Sequence, residues 1–368
     1  MKILMAIPTF YPAIEFGGPI FSSFYLAKEL DKHVELEVLT TDQRLVSDQD
    51  TLITRQEMPF TVISLKAAGG LEWLTAFPKA ISNADVVLLN SLFSVFSIFV
   101  FIWTKLFRKK IVIQPRGSLA TYGLGKRPLL KKLFLMFYKL DLPNTVFVVT
   151  SLFERQEVID VFGANATIEV IPNGVDCVEF EDISRADNGS LYRPSVAEAN
   201  ACFVGRLHEK KRLDLIIAAI ANLQSREINI VLHLVGGDDG FEQKAKALCK
   251  KYLRADTFRF YGQLQRCHLL ATLRSMDCLV LVSENENFGN VVLEALGVNV
   301  PVVSSDNLPW QELEEAGLGV TCGVSVFDIA AAIELAASID LKSSNSGFKF
   351  VESKFSWTNI STRFLNLL

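Results

Sequence analysis

Residues 86–104 read VVLLNSLFSVFSIFVFIWT, nineteen positions without a charged side chain, and how they parse decides the fold. A bilayer-spanning helix needs about 20 predominantly apolar residues, so the stretch barely has the length. Its interior is not uniform. Val86-Val87-Leu88-Leu89 reads as a short buried strand, Asn90-Ser91 breaks it, and Leu92–Phe107 continues at helical length. A strand followed by a helix accounts for the break, and a membrane span does not.

The same alternation extends to both sides. Upstream, residues 2–7 form an apolar strand ended by Pro8, a loop carries Gly17-Gly18, Phe21–Leu30 is helical, and Val34–Leu39 and Val62–Leu65 are strands. Downstream come strands Ile111–Gln114 and Val146–Thr150, then helix Ser151–Phe162. The polar, aperiodic segment Glu181–Asn200 reads as a linker, and the pattern then restarts. Strands are expected at Asn200–Val204, Ile228–Val235, Phe258–Tyr261, Cys278–Val282 and Val300–Ser304, and helices at Leu213–Leu223, Phe241–Leu253 and Val291–Leu296. Strands that are apolar throughout and alternate with helices mean parallel sheets covered on both faces. Two such α/β domains are expected, 1–178 and 179–355, with a last helix over 356–368 that can pack back on the first.

The 368 residues suit two domains, and 50% hydrophobic composition supplies two cores. With 37 basic and 41 acidic side chains the net charge is -4, which excludes a globally basic nucleic-acid binder and an acidic disordered chain. The mean hydropathy of +0.28 and 27 phenylalanines still need an explanation. The charge is also uneven: residues 86–140 hold ten basic side chains and no acidic one. Six cysteines without CxxC spacing, and four histidines, predict neither a disulfide framework nor a metal site. The start, Met1-Lys2-Ile3, does not have the form of a secretory leader. A reducing cytosol is the expected setting.

Three segments carry chemistry. In Glu286-Asn287-Phe288-Gly289-Asn290-Val291-Val292-Leu293-Glu294, Gly289 stands where a loop becomes a helix. Backbone amides and the helix dipole there suit an anion, and two carboxylates flank the place. Gly205-Arg206 with Lys210, Lys211 and Arg212 ends a strand in a glycine followed by cations fit for a diphosphate. Gly17-Gly18 lets backbone approach a phosphate. Each alone also reads as a capped helix, a basic loop or a plain turn. Together, in both halves of a two-domain α/β chain, they are consistent with a bound nucleotide.

In this order, Gly17-Gly18, Pro115-Arg116-Gly117, Thr150-Ser151 with Glu154, Pro172-Asn173-Gly174-Val175-Asp176, Gly205-Arg206 with Lys211, and Glu286 to Glu294 followed by Pro301-Val302-Val303, the chain resembles the family-4 retaining glycosyltransferases, in their Pro-Arg-Gly subgroup. The resemblance covers nearly the whole chain. It implies a GT-B fold, two Rossmann-like domains facing each other across a donor-binding cleft. It implies that Arg206 and Lys211 neutralise the nucleotide diphosphate without a metal or other cofactor, with Gly17, Gly18 and Gly205 beneath it. Glu286 would hold the donor sugar, and Phe288 and Gly289 would shape the loop that presents the Asn290 and Val291 amides. Glu294 would take the ribose hydroxyls, and Gly262 and Leu264 would lie near the base. Arg116 and Asn173 would complete the donor site.

Two departures stand out. Arg116 occupies a place where many relatives have histidine, and Arg212 one where many have glycine. The implied reaction moves a sugar from a UDP- or GDP-linked donor to an acceptor hydroxyl with the anomeric configuration retained. The first half would take the acceptor, a lipid-linked or growing surface glycan such as O-antigen, capsule or exopolysaccharide. The basic, aromatic window then suits a peripheral enzyme at the inner face of the cytoplasmic membrane, with Lys126, Arg127, Lys131 and Lys132 on an interfacial helix meeting anionic lipid. A core helix with a solvated basic edge explains the same residues. A soluble sugar-phosphate acceptor and a non-catalytic nucleotide-sugar-binding subunit are the competing functions.

Overall fold

The computed structural model of the chain describes residues 1–11, 18–41, 58–66, 70–119, 128–139, 142–185 and 199–368. These fall into two compact units, Met1–Gly174 with Trp357–Leu368, and Val175–Ser356.

The first unit is a seven-stranded parallel sheet of order β3-β2-β1-β4-β5-β6-β7, formed by Lys2–Ala6 (β1), Glu35–Thr41 (β2), Thr61–Leu65 (β3), Val86–Asn90 (β4), Lys110–Gln114 (β5), Thr145–Val149 (β6) and Thr167–Val170 (β7). The helices are Gly18–Leu30 (α1), Leu71–Ser82 (α2), Val95–Leu106 (α3), Pro128–Lys139 (α4) and Leu152–Phe162 (α5). The 86–104 stretch divides as its polar break predicts. All five residues of β4 are buried, Ser91 turns the chain in the left-handed region (φ 76°), and the Ser94 hydroxyl caps α3 by accepting the Ser97 N–H at 3.0 Å. One face of the sheet packs Trp73, Phe77, Phe96, Val100 and Tyr138. The other packs Leu26, Leu30 and the last helix, Trp357–Leu367. That helix belongs to the first unit. Trp357 stacks on Tyr25 and lies so close to Gly174 that a Cβ there would be 2.6 Å from the indole. Among the described residues no helix is long and apolar enough to cross a membrane.

The second unit is a six-stranded parallel sheet of order β10-β9-β8-β11-β12-β13, from Ala199–Val204 (β8), Ile230–Val235 (β9), Phe258–Gly262 (β10), Cys278–Leu281 (β11), Val302–Ser305 (β12) and Gly319–Cys322 (β13). Its helices include Cys177–Arg185 (α6), Leu213–Ser225 (α7), Glu242–Tyr252 (α8), Arg266–Arg274 (α9) and Asn290–Gly297 (α10). The linker expected over 181–200 is therefore helical to residue 185. Phe180 is the reason: it is fully buried in this unit, with its ring where a Cβ on Gly297 would stand. The unit begins at Val175 rather than at 179, because Val175 N–H bonds the Phe355 carbonyl at 2.9 Å. The central strands β1, β4, β8, β9 and β11 are buried nearly throughout and, with the apolar faces of the covering helices, absorb much of the hydrophobicity of the chain.

Candidate active site

In a parallel α/β sheet, ligands bind beyond the C-terminal strand ends where the strand order reverses. In the second unit that point lies between β8 and β11. The loop after β8 carries Gly205, Arg206, Lys210 and Lys211, and the loop after β11 runs from Ser283 to Gly289. The two are joined. Glu284 N–H donates to the Lys210 carbonyl at 2.8 Å, and the Lys211 ammonium pairs with the Glu286 carboxylate, which also accepts from Ser283 Oγ at 2.8 Å. Asn307 Nδ2 donates to the Ser283 and Glu284 carbonyls and fixes the second loop from behind. Arg206 turns instead to Asp239, at 2.8 Å, with 71% of its side chain exposed. An exposed pair is worth at most about 1 kcal/mol, so Arg206 can leave it for a phosphate at small cost.

Gly289 caps α10 in the left-handed region (φ 83°), and a Cβ there would press on Leu281 and on the Trp310 indole at 3.2 and 3.3 Å. Trp310 Nε1 donates to the Phe288 carbonyl at 2.5 Å, and the Phe288 ring packs between Trp310 and Phe355. This aromatic block holds the turn so that the Asn290 and Val291 amides stand at the helix N-terminus, as an anion site requires. Glu294, one turn on, pairs with Arg266, whose Nε donates to Glu179 at 2.9 Å. Burial works to lower the Arg266 pKa, but Glu294 and Glu179 together outweigh it and hold the guanidinium above its ordinary value. Arg266 was not among the residues the sequence singled out, and no local signal links it to a carboxylate 28 positions away.

Gly236 is the second residue that the motifs missed. A Cβ there would fall 1.9 Å from the Gly205 carbonyl oxygen, so the glycine is what lets the two strand ends lie together. The Gly236 N–H donates to the Gly262 carbonyl at 2.8 Å. Gly262 has φ 65° and an open side, while Leu264 is half-buried and packs against the core.

In the first unit the reversal lies between β1 and β4. Arg116 and Gly117 follow β5 with φ of 55° and 72°. The Arg116 guanidinium donates from Nε to Asn90 Oδ1 (3.2 Å), from Nη1 to Ser22 Oγ and Asn173 Oδ1 (both 2.8 Å), and from Nη2 to Gln114 Oε1 (3.2 Å). All four acceptors are neutral, so the site keeps the charge. Burial lowers the Arg116 pKa to about 10, against the raising effect of Glu154, which leaves it cationic at neutral pH. Beside it, Asn90 Nδ2 and Ser118 Oγ are buried with no hydrogen-bond partner. A cation and two unmet polar groups at a strand-order reversal are equipped to receive an anionic or hydroxylated ligand.

Gly18 opens α1; Gly17, Lys126 and Arg127 lie outside the described residues. Lys132 is exposed, whereas Lys131 is drawn over the Phe93 ring, 4.7 Å from its centroid. Among the described residues no cluster of His, Cys, Asp and Glu could hold a metal ion.

Two family models match successive parts of the chain: glycosyltransferase family 4 over residues 16–179, and glycosyl transferases group 1 over residues 195–346. The chain therefore belongs to the group 1/family 4 glycosyltransferases. Among curated relatives, glycogen synthase of Mycobacterium tuberculosis is 30% identical over 217 residues, which is 56% of this chain and 50% of the relative. The D-inositol 3-phosphate glycosyltransferase of Kineococcus radiotolerans is 32% identical over 163 residues, 41% of this chain and 37% of the relative. The chain thus spans about half the length, or less, of these curated relatives. Solved structures cover all of it. Sucrose-phosphate synthase from Thermosynechococcus elongatus superposes with a TM-score of 0.73 at 20% identity, covering 100% of this chain and 98% of its own. Anabaena HepE in complex with UDP and glucose gives 0.75 at 17%, covering 100% and 99%. These likenesses establish the fold as GT-B.

Proposed function

We propose that the protein transfers a sugar from a UDP- or GDP-linked donor to an acceptor hydroxyl, with retention and without a metal ion. The observation that carries this reading is the meeting of Lys211 with Glu286 at the strand-order reversal of the second unit, beside the helix amides of Asn290 and Val291. Lys211, Arg206 and those amides receive the diphosphate. Glu286 and Arg116 hold the sugar, Glu294 accepts from the ribose hydroxyls, and the backbone near Gly262 and Leu264 takes the base. The bond from the anomeric carbon to the diphosphate oxygen breaks as the acceptor oxygen attacks from the same face. The acceptor proton passes to the departing phosphate oxygen, and the products are the glycoside and the nucleoside diphosphate. The cations stabilise the charge that develops on that leaving group.

The acceptor is a lipid-linked or growing surface glycan, and the chain works as a peripheral protein at the inner face of the cytoplasmic membrane. The support is α4, whose exposed apolar residues Leu129, Leu133, Met136 and Phe137 fall at i, i+4, i+7 and i+8, on one outward stripe. A thermal-shift screen with UDP-, GDP- and ADP-sugars tests the donor reading, and no shift with any of them overturns it. Transfer assayed in EDTA, with lipid-linked and soluble sugar-phosphate acceptors and the product anomer read by NMR, tests the rest.

A further inference from the structure

The first unit has a second charged edge, opposite the one just described. α3 and α4 each return from the C-terminal edge of the sheet to its N-terminal edge, so their last turns arrive where β5 and β6 begin. A cavity of about 700 Å³ opens there, lined by Lys105, Arg108, Lys109, Lys110 and Asn144, with no acidic side chain in its wall. A helix C-terminus attracts cations, but its partial charge is only about half a unit, which one lysine offsets. Lys110 is also tied down, donating to the Leu367 carbonyl at 2.6 Å. Among the described residues neither Arg108 nor Lys109 pairs with a carboxylate, and the sequence from 86 to 140 has none to offer. Arg108 further occupies a left-handed position (φ 52°) at the end of a helix, where glycine is the usual residue. Two cations, Arg108 and Lys109, face this cavity beyond the need of the helix.

The flanks of the cavity are apolar and exposed. Leu106 and Phe107, set between the lining cations, are 64% and 37% exposed, and Trp103 stacks on Phe107. Val95, Ile102 and Leu106 form an outward stripe on α3, beside the stripe of α4; the two helices touch through Phe101 and Tyr138. Buried faces account for neither stripe, and an exposed patch of this kind marks an interaction site.

We propose that the cavity at the end of α3 binds the phosphate of an anionic phospholipid headgroup, with the outward stripes of α3 and α4 lying in the acyl boundary. A basic cavity ringed by aliphatic and aromatic side chains fits a phosphate attached to a hydrophobic phase. The inference rests on the membrane reading given above and adds to it a defined headgroup site. The full chain should co-sediment with phosphatidylglycerol-containing vesicles, less with pure phosphatidylcholine, and less as salt rises. The double variant Arg108→Gln/Lys109→Gln should weaken anionic-vesicle binding by about 30-fold, the factor for two surface charges, with its UDP-dependent thermal shift unchanged. Leu133→Ser/Met136→Ser should weaken binding to both vesicle types. Unaltered binding by the Arg108/Lys109 variant overturns the headgroup site while leaving membrane association standing. No binding by the parent chain at low salt overturns both. Inorganic phosphate at matched ionic strength should not release the protein; release would assign the cavity to a soluble phosphate and overturn the lipid assignment.

Discussion

The Glu154 carboxylate accepts the Gly117 N–H at 2.6 Å, and this bond ties α5 to the turn that aims Arg116. The same carboxylate takes the Thr150 N–H at 2.7 Å and the Thr150 hydroxyl at 3.0 Å. Burial raises the Glu154 pKa, with the Thr150 and Gly117 hydrogen bonds and the charge of Arg116 acting in the opposite direction. Glu154 is thus a positioning residue for the left-handed Arg116-Gly117 pair. Glu154→Gln puts an amide NH₂ against a backbone N–H that needs an acceptor, at a cost of about 1–3 kcal/mol. Chemical unfolding should register that loss. Donor-sugar affinity should fall in the variant while affinity for free nucleoside diphosphate stays near that of the parent; an equal fall in both would deny the positioning role.

Much of this was legible in the sequence, and the reason is physical. Buried parallel strands must be apolar along their whole length, so 2–6, 86–90 and 278–281 announce themselves, and a left-handed cap needs a residue such as Gly289. What escaped was tertiary. Phe180 makes a helix of the first residues of an apparently polar linker only because a cavity over Gly297 awaits its ring. Strand β13 and helix α9 are short and carry little period, and packing decides them. Arg266 could not be assigned because its partners, Glu179 and Glu294, come from opposite sides of it in the chain.

On the proposed donor reading, Glu286 and a diphosphate would compete for Lys211. In the free protein the ammonium is held by a carboxylate that is only 14% exposed. Glu286→Gln removes that pull, so UDP or GDP should bind more tightly, by roughly tenfold if the screened pair has a net worth of about 1 kcal/mol. Turnover should nevertheless drop by about 100-fold or more, since the group proposed to hold the donor sugar is altered. Titration calorimetry paired with transfer rates checks this. Weaker nucleotide binding in the variant would mean that Glu286 does not restrain the lysine.

Arg212, at a place where the resemblance leads one to expect glycine, has the backbone that suits glycine: φ 50°, ψ 41°, the left-handed region. Its guanidinium forks onto Asp214 with two contacts of 3.1 Å, and that hydrogen bonding, ahead of an opposing burial effect, raises its pKa. Arg212→Gly should leave stability within about 1 kcal/mol, the relief of a strained φ offsetting the loss of a solvent-exposed ion pair. Arg212→Val, β-branched at positive φ, should destabilise by about 1–3 kcal/mol. The ranking glycine and arginine above valine in urea midpoints is the check, and a valine variant as stable as the parent would contradict the backbone assignment.

His233 makes the second unit sensitive to acid. It is fully buried on β9, with Nδ1 3.0 Å from the Tyr261 hydroxyl and Nε2 3.1 Å from Asn200 Oδ1. Asn200 Nδ2 donates to Asp277, which turns Oδ1 toward the imidazole and assigns the proton of the neutral ring to Nε2. Burial, with a smaller contribution from Arg259, lowers the His233 pKa to about 4. The unfolded chain, near 6.5, binds the proton first. Above pH 6.5 both states are neutral and the group has no effect on stability. As pH falls from 6.5 toward 4 the unfolded state is favoured, by about 2–3 kcal/mol at pH 4.5. His233→Gln should be less stable than the parent at pH 7.5 yet lose less on acidification, because its amide does not titrate. Melting curves of both proteins between pH 4.5 and 7.5 decide the point, and parallel pH profiles would show that the imidazole does not set the acid limit.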